Sequence, residues 1–512
     1  MTKIGSGSSS SYAAPALRSS RAPRHGFVLV AVLVVIMLAS MVVLSLMFHV
    51  RAEETATAAG TGSEQAWAAA MSGIYEAMRV AGQTVPGGLG WQNNSETFRG
   101  RLVVDDGSDQ WYYSVYAMGD SDQEEMQFGL TDEASKLNIN TATETNFTKL
   151  PRMTPYLVQG LLDFLDADGT PRPEGAEQEY YDTLSRPYGV LNRSISTLDE
   201  LLLVRGFTPS LLYGEDSNLN FRLDPGENDG DERFPPDNKD GKLDFGLRQY
   251  LTISSYDLNE DTTRAARIQL VDPRATLPDS GFPQALVQYI AALRRNKIVV
   301  AHPAELLEAK GKFKDENGAE VEMPSGVGKT ELPDVLDRFT TTAERRLPGL
   351  ININTASARV LQTIPEIDEA LADSIVAARG GLRPEQRRTP AWLYQEALVN
   401  ADLFKKVAPH LTARSLQFHL QVIGYGIPSG RFRVLEAIID LAAPKPTIAY
   451  LRDITRLGLP FKIDSMADDK TIASLQPPAR NASLRSRSYL PEIRERARLV
   501  NLDYPSTAAH NN

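Results

Sequence analysis

From Phe27 to Phe48 the chain runs FVLVAVLVVIMLASMVVLSLMF, with no charged residue and no polar face at helical spacing. At 1.5 Å per residue such a run spans a hydrocarbon core of about 30 Å, so it predicts one membrane helix over 27–50. Ala52 to Val85 is rich in Ala, Glu, Gln and Met, which predicts that the helix continues as a stalk over 51–85 until Pro86-Gly87-Gly88 ends it. The period then changes to two. Phe98 to Val104, Trp111 to Met118 and Met126 to Leu130 read as strands, separated by turns at Asp105-Asp106-Gly107 and Gly119-Asp120. Alternation returns far downstream, where Leu416, Phe418, Leu420 and Val422 interleave with Gln417, His419 and Gln421. Arg431 to Leu441 and Thr447 to Thr455 are further strands. A half-buried antiparallel sheet fits this pattern.

The predicted class is therefore α+β: an N-terminal transmembrane and stalk helix, a small antiparallel sheet, and a large, mostly helical insertion. One part of the sheet falls in 86–130 and the other in 415–460, with about 280 residues between them. The insertion carries an internal repeat. Leu137-Asn138-Ile139-Asn140-Thr141-Ala142 is echoed at Ile351-Asn352-Ile353-Asn354-Thr355-Ala356. Each copy leads into a helical segment, then Leu150-Pro151 or Ile364-Pro365, then another helix, with Thr141 and Thr355 as expected caps. This gives a first helical module over 131–210, an acidic loop segment over 211–275, a variable helical or loop segment over 276–345, and a second module over 346–414. A leader occupies 1–26, its first 20 residues Ser/Gly-rich and read as disordered. A tail follows over 461–512.

Composition narrows the chemistry. The chain has 512 residues, 42% of them hydrophobic, enough for sizeable cores and several modules. A formal charge of -11 argues against general affinity for nucleic-acid phosphates. There is no cysteine, hence no disulfide framework or thiolate metal site, and the six histidines are scattered. A hard cation is the remaining candidate. Asp216, Asn218, Asn220, Asp224 and Glu227 place oxygen side chains at positions 1, 3, 5, 9 and 12 of a twelve-residue loop, and Arg222 offers its carbonyl at position 7. That spacing wraps Ca²⁺ in EF-hand-type sites, although Phe221 stands where glycine makes the sharp turn. A shorter fragment, Asn238 to Asp244, keeps the central glycine. Asp163, Asp166 and Asp168 form a weaker candidate, with a solvated helix end as the plain alternative. Ser325 to Thr330 ends like a phosphate-binding loop but lacks its first glycine and a preceding apolar strand, so it reads as a surface loop. Arg485, Arg487, Arg494, Arg496 and Arg498 make a basic patch in the tail. No catalytic constellation emerges, and a non-enzymatic role is expected.

Gly26-Phe27 lies immediately before the apolar run, whereas a secretory leader places its small residues after it. Lys3, Arg18, Arg21 and Arg24 precede the run, which keeps the amino end cytoplasmic and exports the rest. This boundary resembles the leader of type IV prepilins and of the pseudopilins of type II secretion. The resemblance implies cleavage after Gly26 by a prepilin peptidase, methylation of Phe27, and retention of the apolar segment as anchor and polymerisation stalk. Most such proteins carry Glu at the fifth mature position, where this chain has Ala31. A carboxylate costs about 2.5–3.5 kcal/mol in mid-bilayer and persists only with a partner. Its absence is typical of the K-type minor pseudopilin, a large tip subunit with nothing assembled ahead of it.

Leu161 to Asp168, Pro173-Glu174-Gly175-Ala176-Glu177, Tyr180-Tyr181, Pro187-Tyr188 and Ser196 to Leu201 also resemble that family, in order. The repeat resembles helix-hairpin-helix modules and the related SAM-like helical domains of K-type pseudopilins. A DNA-binding hairpin needs glycines where this chain has Arg152 and Glu366-Ile367-Asp368, and the carboxylates would repel phosphate. What the resemblance implies is a minor pseudopilin at the tip of the pseudopilus, initiating assembly and supporting export across the outer membrane. Its expected partners are other minor pseudopilins, the major pseudopilin, the peptidase, the inner-membrane assembly platform and the secretin or cargo, with no nucleic acid. It would be single-pass in a bacterial inner membrane, with its bulk in the periplasm and Ca²⁺ as a structural ion. The alternatives are a minor pilin of a type IV pilus and a membrane-anchored DNA-uptake receptor.

Overall fold

A computed structural model describes residues 25–461 apart from 122–123, 231, 233–234, 278–280 and 315–317. The expected leader before His25 and the basic tail lie outside the described residues. The chain divides into two units at Gly62 and Ser63, and the helix His25–Gln83 contributes to both. In the first unit the large apolar side chains from Val28 to Val50 are exposed. Among the described residues this is the one helix long and apolar enough to cross a membrane. So large a continuous apolar surface is unfavourable in water at about 25 cal/mol per Å² and suits lipid or a bundle of like helices.

In the second unit the stalk packs by small residues. Ala66, Ala69, Ala70, Ile74, Ala77, Met78 and Ala81 are buried at spacings of three and four. A Cβ added to Gly73 would lie 2.7 Å from Val422 Cγ1, and one added to Gly424 would lie 2.1 Å from the Ala66 carbonyl. Helix and sheet backbones thus touch where side chains are missing, and flanking Ile74 and Met78 fill the core around that seam.

The sheet is antiparallel and seven-stranded. Its strands are β1 (Arg101–Asp105), β2 (Gln110–Ser121), β3 (Glu124–Gln127), β4 (Thr131–Asp132), β5 (Gln417–Ile427), β6 (Phe432–Asp440) and β7 (Thr447–Asp453). The order is β1-β2-β5-β6-β7, with β3 on β2 and β4 on β5. The strand expected over 98–104 begins only at Arg101, because Ser95–Phe98 forms a helical turn capped by Asn94. Val115 faces Val422, Phe418 faces Asp132 and His419 faces Thr131. The two ends of the insertion are therefore hydrogen-bonded neighbours.

The insertion is less helical than predicted. Its longest helix among the described residues is the 12-residue Gln284–Arg295. Within 276–345 a hairpin of Lys310–Lys314 and Glu320–Pro324 precedes the helix Leu332–Arg338. That hairpin also places a strand before Ser325, which is buried rather than on a surface loop and donates its hydroxyl to the Leu306 carbonyl at 2.6 Å.

Both copies of the repeat fold alike. Leu137–Asn138 pairs in parallel with Leu251–Thr252, and Ile351–Asn352 with Leu411–Thr412. The helices Glu144–Phe147 and Pro155–Leu165 follow the first copy, Ala358–Gln362 and Glu369–Arg379 the second. Leu137, Ile139, Ile351 and Ile353 enter one core. Between them the asparagines turn the chain: Asn138 Oδ1 accepts the Asn140 N–H at 3.0 Å, and Asn352 Oδ1 accepts that of Asn354 at 3.0 Å. The expected caps are displaced by two residues, to Thr143 and Ser357. The Thr141 hydroxyl instead donates to the Asn138 carbonyl, and that of Thr355 to Asp132 Oδ2 at 2.6 Å. Because the first copy closes on Leu251–Thr252, most of the acidic segment 211–275 lies inside it.

Candidate metal centre and assembly surface

The loop from Asp216 to Glu227 closes on its own oxygens. Asp216 is fully buried and accepts the N–H groups of Asn220 (2.9 Å) and Phe221 (3.2 Å). Glu227 Oε1 accepts the Ser217 N–H at 2.9 Å, and Oε2 accepts that of Asp224 at 3.1 Å. Asp224 Oδ2 accepts the amides of Asn218 (2.7 Å) and Asn220 (2.9 Å). Arg222 joins through its N–H, donated to Asn220 Oδ1 at 2.8 Å. Phe221 takes φ +59°, the left-handed turn that glycine adopts at this loop position. Its ring pays for that conformation by burial beneath the Arg248 guanidinium, 4.8 Å from the ring centre.

The electrostatics are those of an anionic loop. Burial raises Asp216 above the usual carboxylate range, against the opposing charge of Arg248. Burial also pushes Glu227 up to about 7, and the Asp216 charge adds to that rise. Three carboxylates and two amide side chains supply only oxygen donors, the type a hard cation such as Ca²⁺ takes, but Asp216, Asp224 and Glu227 do not gather within 4.8 Å of one another.

The weaker acidic candidate is rearranged. Asp163 is buried and committed to Arg172, whose N–H it accepts at 3.1 Å and whose guanidinium it pairs with. The same guanidinium donates to Asp166 Oδ2 at 2.7 Å. The acids that gather within 4.8 Å are Asp166, Asp168 and Glu177. Glu177 was absent from the sequence-based set because it lies nine residues beyond Asp168, across a proline-rich turn. Gly175 lets that turn close, since a Cβ there would stand 1.8 Å from Asp163 Oδ2.

The hairpin tips have the geometry of glycine turns without the glycines. Arg152 and Glu366 hold φ +63° and +68°. Their side chains are tied back to the body, Arg152 to Asp244 and Glu366 to Lys406 at 3.5 Å. The two modules also touch directly: Asn146 Nδ2 donates to the Thr363 carbonyl at 2.9 Å and Lys149 Nζ to that of Ile364 at 2.9 Å. At the other end of the chain, Gly26 and Phe27, which flank the expected cleavage point, lie in the helix starting at His25, and Ala31 is exposed on it.

Residues 135–213 match a family model of the type II secretion system. The model is described as "Type II secretion system (T2SS), protein K", the family that the leader and the repeat resemble. Among solved structures, the crystal structure of the GspK-GspI-GspJ complex from the enterotoxigenic Escherichia coli type 2 secretion system is similar at 13% identity, with 79% of this chain and 99% of that chain covered and a TM-score of 0.35. No curated protein matches the chain.

Proposed function

We propose that the chain is a minor pseudopilin at the tip of a type II secretion pseudopilus, where it initiates assembly and supports export across the outer membrane. The observation that carries this reading is the protein K match over 135–213, set within a chain whose apolar helix continues onto an antiparallel sheet. In this reading a prepilin peptidase cuts after Gly26, Phe27 is methylated, and the segment to Val50 anchors the protein in the inner membrane with its bulk in the periplasm. The stalk would bundle with other minor pseudopilins on the assembly platform, above the major pseudopilin, and the insertion would meet the secretin or cargo. Ala31 leaves no buried carboxylate in need of a subunit ahead, which suits an end position. The chain would do this without catalysis.

The test is complementation of a strain lacking this gene, scored by the secreted fraction of its substrates. Ala31→Glu is expected to preserve most secretion, whereas Gly26→Leu is expected to block leader cleavage and abolish it. Normal processing of Gly26→Leu would overturn the reading.

We further propose that the Asp216–Glu227 loop binds Ca²⁺ as a structural ion. The support is the spacing of its oxygen side chains along a loop closed by its own hydrogen bonds. An unchanged melting temperature between chelator and excess calcium would remove the ion.

A further inference from the structure

Asp166, Asp168 and Glu177 come together where the chain leaves the helix Pro155–Leu165 and turns back through Pro171, Pro173 and Gly175. One carboxylate oxygen from each lies within 4.8 Å of the other two. Two oxygens held by one Ca²⁺ at about 2.3–2.6 Å stand at most roughly 5 Å apart, so this spacing is one that a single ion spans. The three acids are graded in exposure. Asp168 is exposed, Asp166 half-buried, and Glu177 only 6% exposed. Solvent therefore reaches the cluster past Asp168, and Glu177 forms its floor.

The donors around the cluster are too few for its acceptors. Asp168 Oδ1 accepts the Thr170 N–H at 2.9 Å. Arg172 donates its guanidinium to Asp166 Oδ2 at 2.7 Å and shares it with Asp163 Oδ1, while Asp163 Oδ2 accepts the Arg172 N–H. Asp163 is thus fully used in placing Arg172, and through it Asp166. What remains is Asp166 Oδ1 and Glu177 Oε1, both buried and both without a hydrogen-bond partner. A buried carboxylate oxygen that no donor meets has lost its hydration without replacement. Burial, and then the charges of Asp163, Asp166 and Asp168, raise Glu177 above its ordinary value, with Arg172 opposing. A solvated helix end accounts for Asp168 but not for Glu177, since an acid that merely faces water has no reason to be buried against others of its charge. A hard cation accounts for both, because it supplies the missing partner and the missing charge together.

We propose that Asp166, Asp168 and Glu177 form a Ca²⁺ site, separate from the Asp216–Glu227 loop, which ties the turn over 166–177 to the end of its helix, with Asp163 and Arg172 as positioning residues. The test is calorimetric titration and thermal unfolding of the full chain in detergent, stripped by chelator, in wild type and in Glu227→Gln. Calcium chloride, taken beyond the roughly 10⁻³ M of weak extracellular sites, is expected to bind saturably in both and to raise the melting temperature of both. Adding Glu177→Gln should weaken the measured Kd at least tenfold and raise the ion-free melting temperature, because a neutral amide relieves the crowding of charge. Asp168→Asn, on the exposed side, should weaken the Kd without endangering the fold, and is the second variant should the buried substitution misfold. Asp182→Asn, exposed beyond the turn, should leave the Kd unchanged. Magnesium chloride should bind at least tenfold more weakly, since an ion that holds oxygens at about 2.0–2.1 Å must draw the carboxylates closer. Calcium binding that disappears with Glu227→Gln alone would belong to the loop and overturn this site. So would a Kd that neither Glu177→Gln nor Asp168→Asn moves.

Discussion

The two copies of the repeat share a hexapeptide and a local fold, yet they are held by different chemistry. In the first, Asn138 Nδ2 donates to the Ser255 carbonyl at 3.0 Å, and Asn140 exchanges two hydrogen bonds with the Ile195 backbone. In the second, Asn352 Nδ2 donates to Asp132 Oδ2 at 2.8 Å and to Ser415 Oγ at 2.9 Å. Thr355 and Ser415 donate to that same carboxylate oxygen. Asp132 belongs to β4, so the second copy is fastened to the sheet, whereas the first is fastened to loops of its own module. The neighbouring Glu133 serves the first copy by accepting the hydroxyl of Thr252 on its closing strand. Two consecutive acids thus divide the two modules between them. Their electrostatics are opposed. Burial pushes Asp132 up to about 6, with only neutral donors to counter it. Burial would also raise Glu133, but the charges of Lys136 and His419 hold it below its ordinary value.

The strongest way to break this asymmetry is to delete the shared acceptor. Asp132→Ala strands three side-chain donors and is expected to cost on the order of 3 kcal/mol at pH 5, against about 1 kcal/mol for Ser255→Ala. Equal losses in denaturant unfolding would abolish the distinction. Next, Asn354 bonds the carbonyls of Arg387 and Ala413 and accepts from Trp392 Nε1 in a buried setting. Asn354→Ala should therefore cost about 2 kcal/mol and Asn140→Ala roughly half that.

The pH dependence sharpens the same contrast. Because Asp132 is raised, the native state holds its proton longer than the unfolded chain does. Its contribution is full below about 4 and lost as pH climbs through about 6, at about 1.4 kcal/mol per unit of difference. Glu133 acts in the other direction, its contribution being lost as pH falls. Asp132→Asn should flatten the decline between pH 4 and 6 in a pH series of melting temperatures. If the Asp216–Glu227 loop binds calcium as proposed, Glu227 near 7 would make protons compete with the ion, so calcium should raise the melting temperature more at pH 8 than at pH 6, an increment that Glu227→Gln removes. The smallest effect is expected at the hairpin tip. Glu366→Gly relieves a left-handed backbone but forfeits a surface ion pair and adds unfolded-state entropy, for a net change under about 1 kcal/mol.

Much of the scaffold was legible because it is periodic. The apolar run, the alternation at 416–422 and the repeated hexapeptide each announce an element through local spacing. What stayed hidden depends on partners far away in sequence. Thr355 looks like a helix cap until Asp132 claims its hydroxyl across 223 positions. The closing strands Leu251–Thr252 and Leu411–Thr412 are too short to show a period. The hairpin at 310–324 reads as a charged loop because Phe313 is the one buried residue of its two strands. In the Asp216–Glu227 loop the spacing of oxygen side chains was visible, but Phe221 concealed the turn, since the burial that offsets its left-handed backbone comes from Tyr116 and Arg248 elsewhere in the fold.

The pairing of β4 with β5 has a consequence for the order of events as the chain is made. β2 leaves the ribosome about 300 residues before its central partner β5, and closing a flexible loop of that length costs about 5 kcal/mol in chain entropy. An insertion that folds first removes most of that cost, because its two ends emerge side by side at Asp132 and Phe418. The sheet is then completed as a short local hairpin, with the entire insertion standing in for its turn. A chain in which a brief turn joins Asp132 directly to Phe418 should for the same reason still form the sheet and stalk, which makes the insertion a detachable payload on a smaller frame.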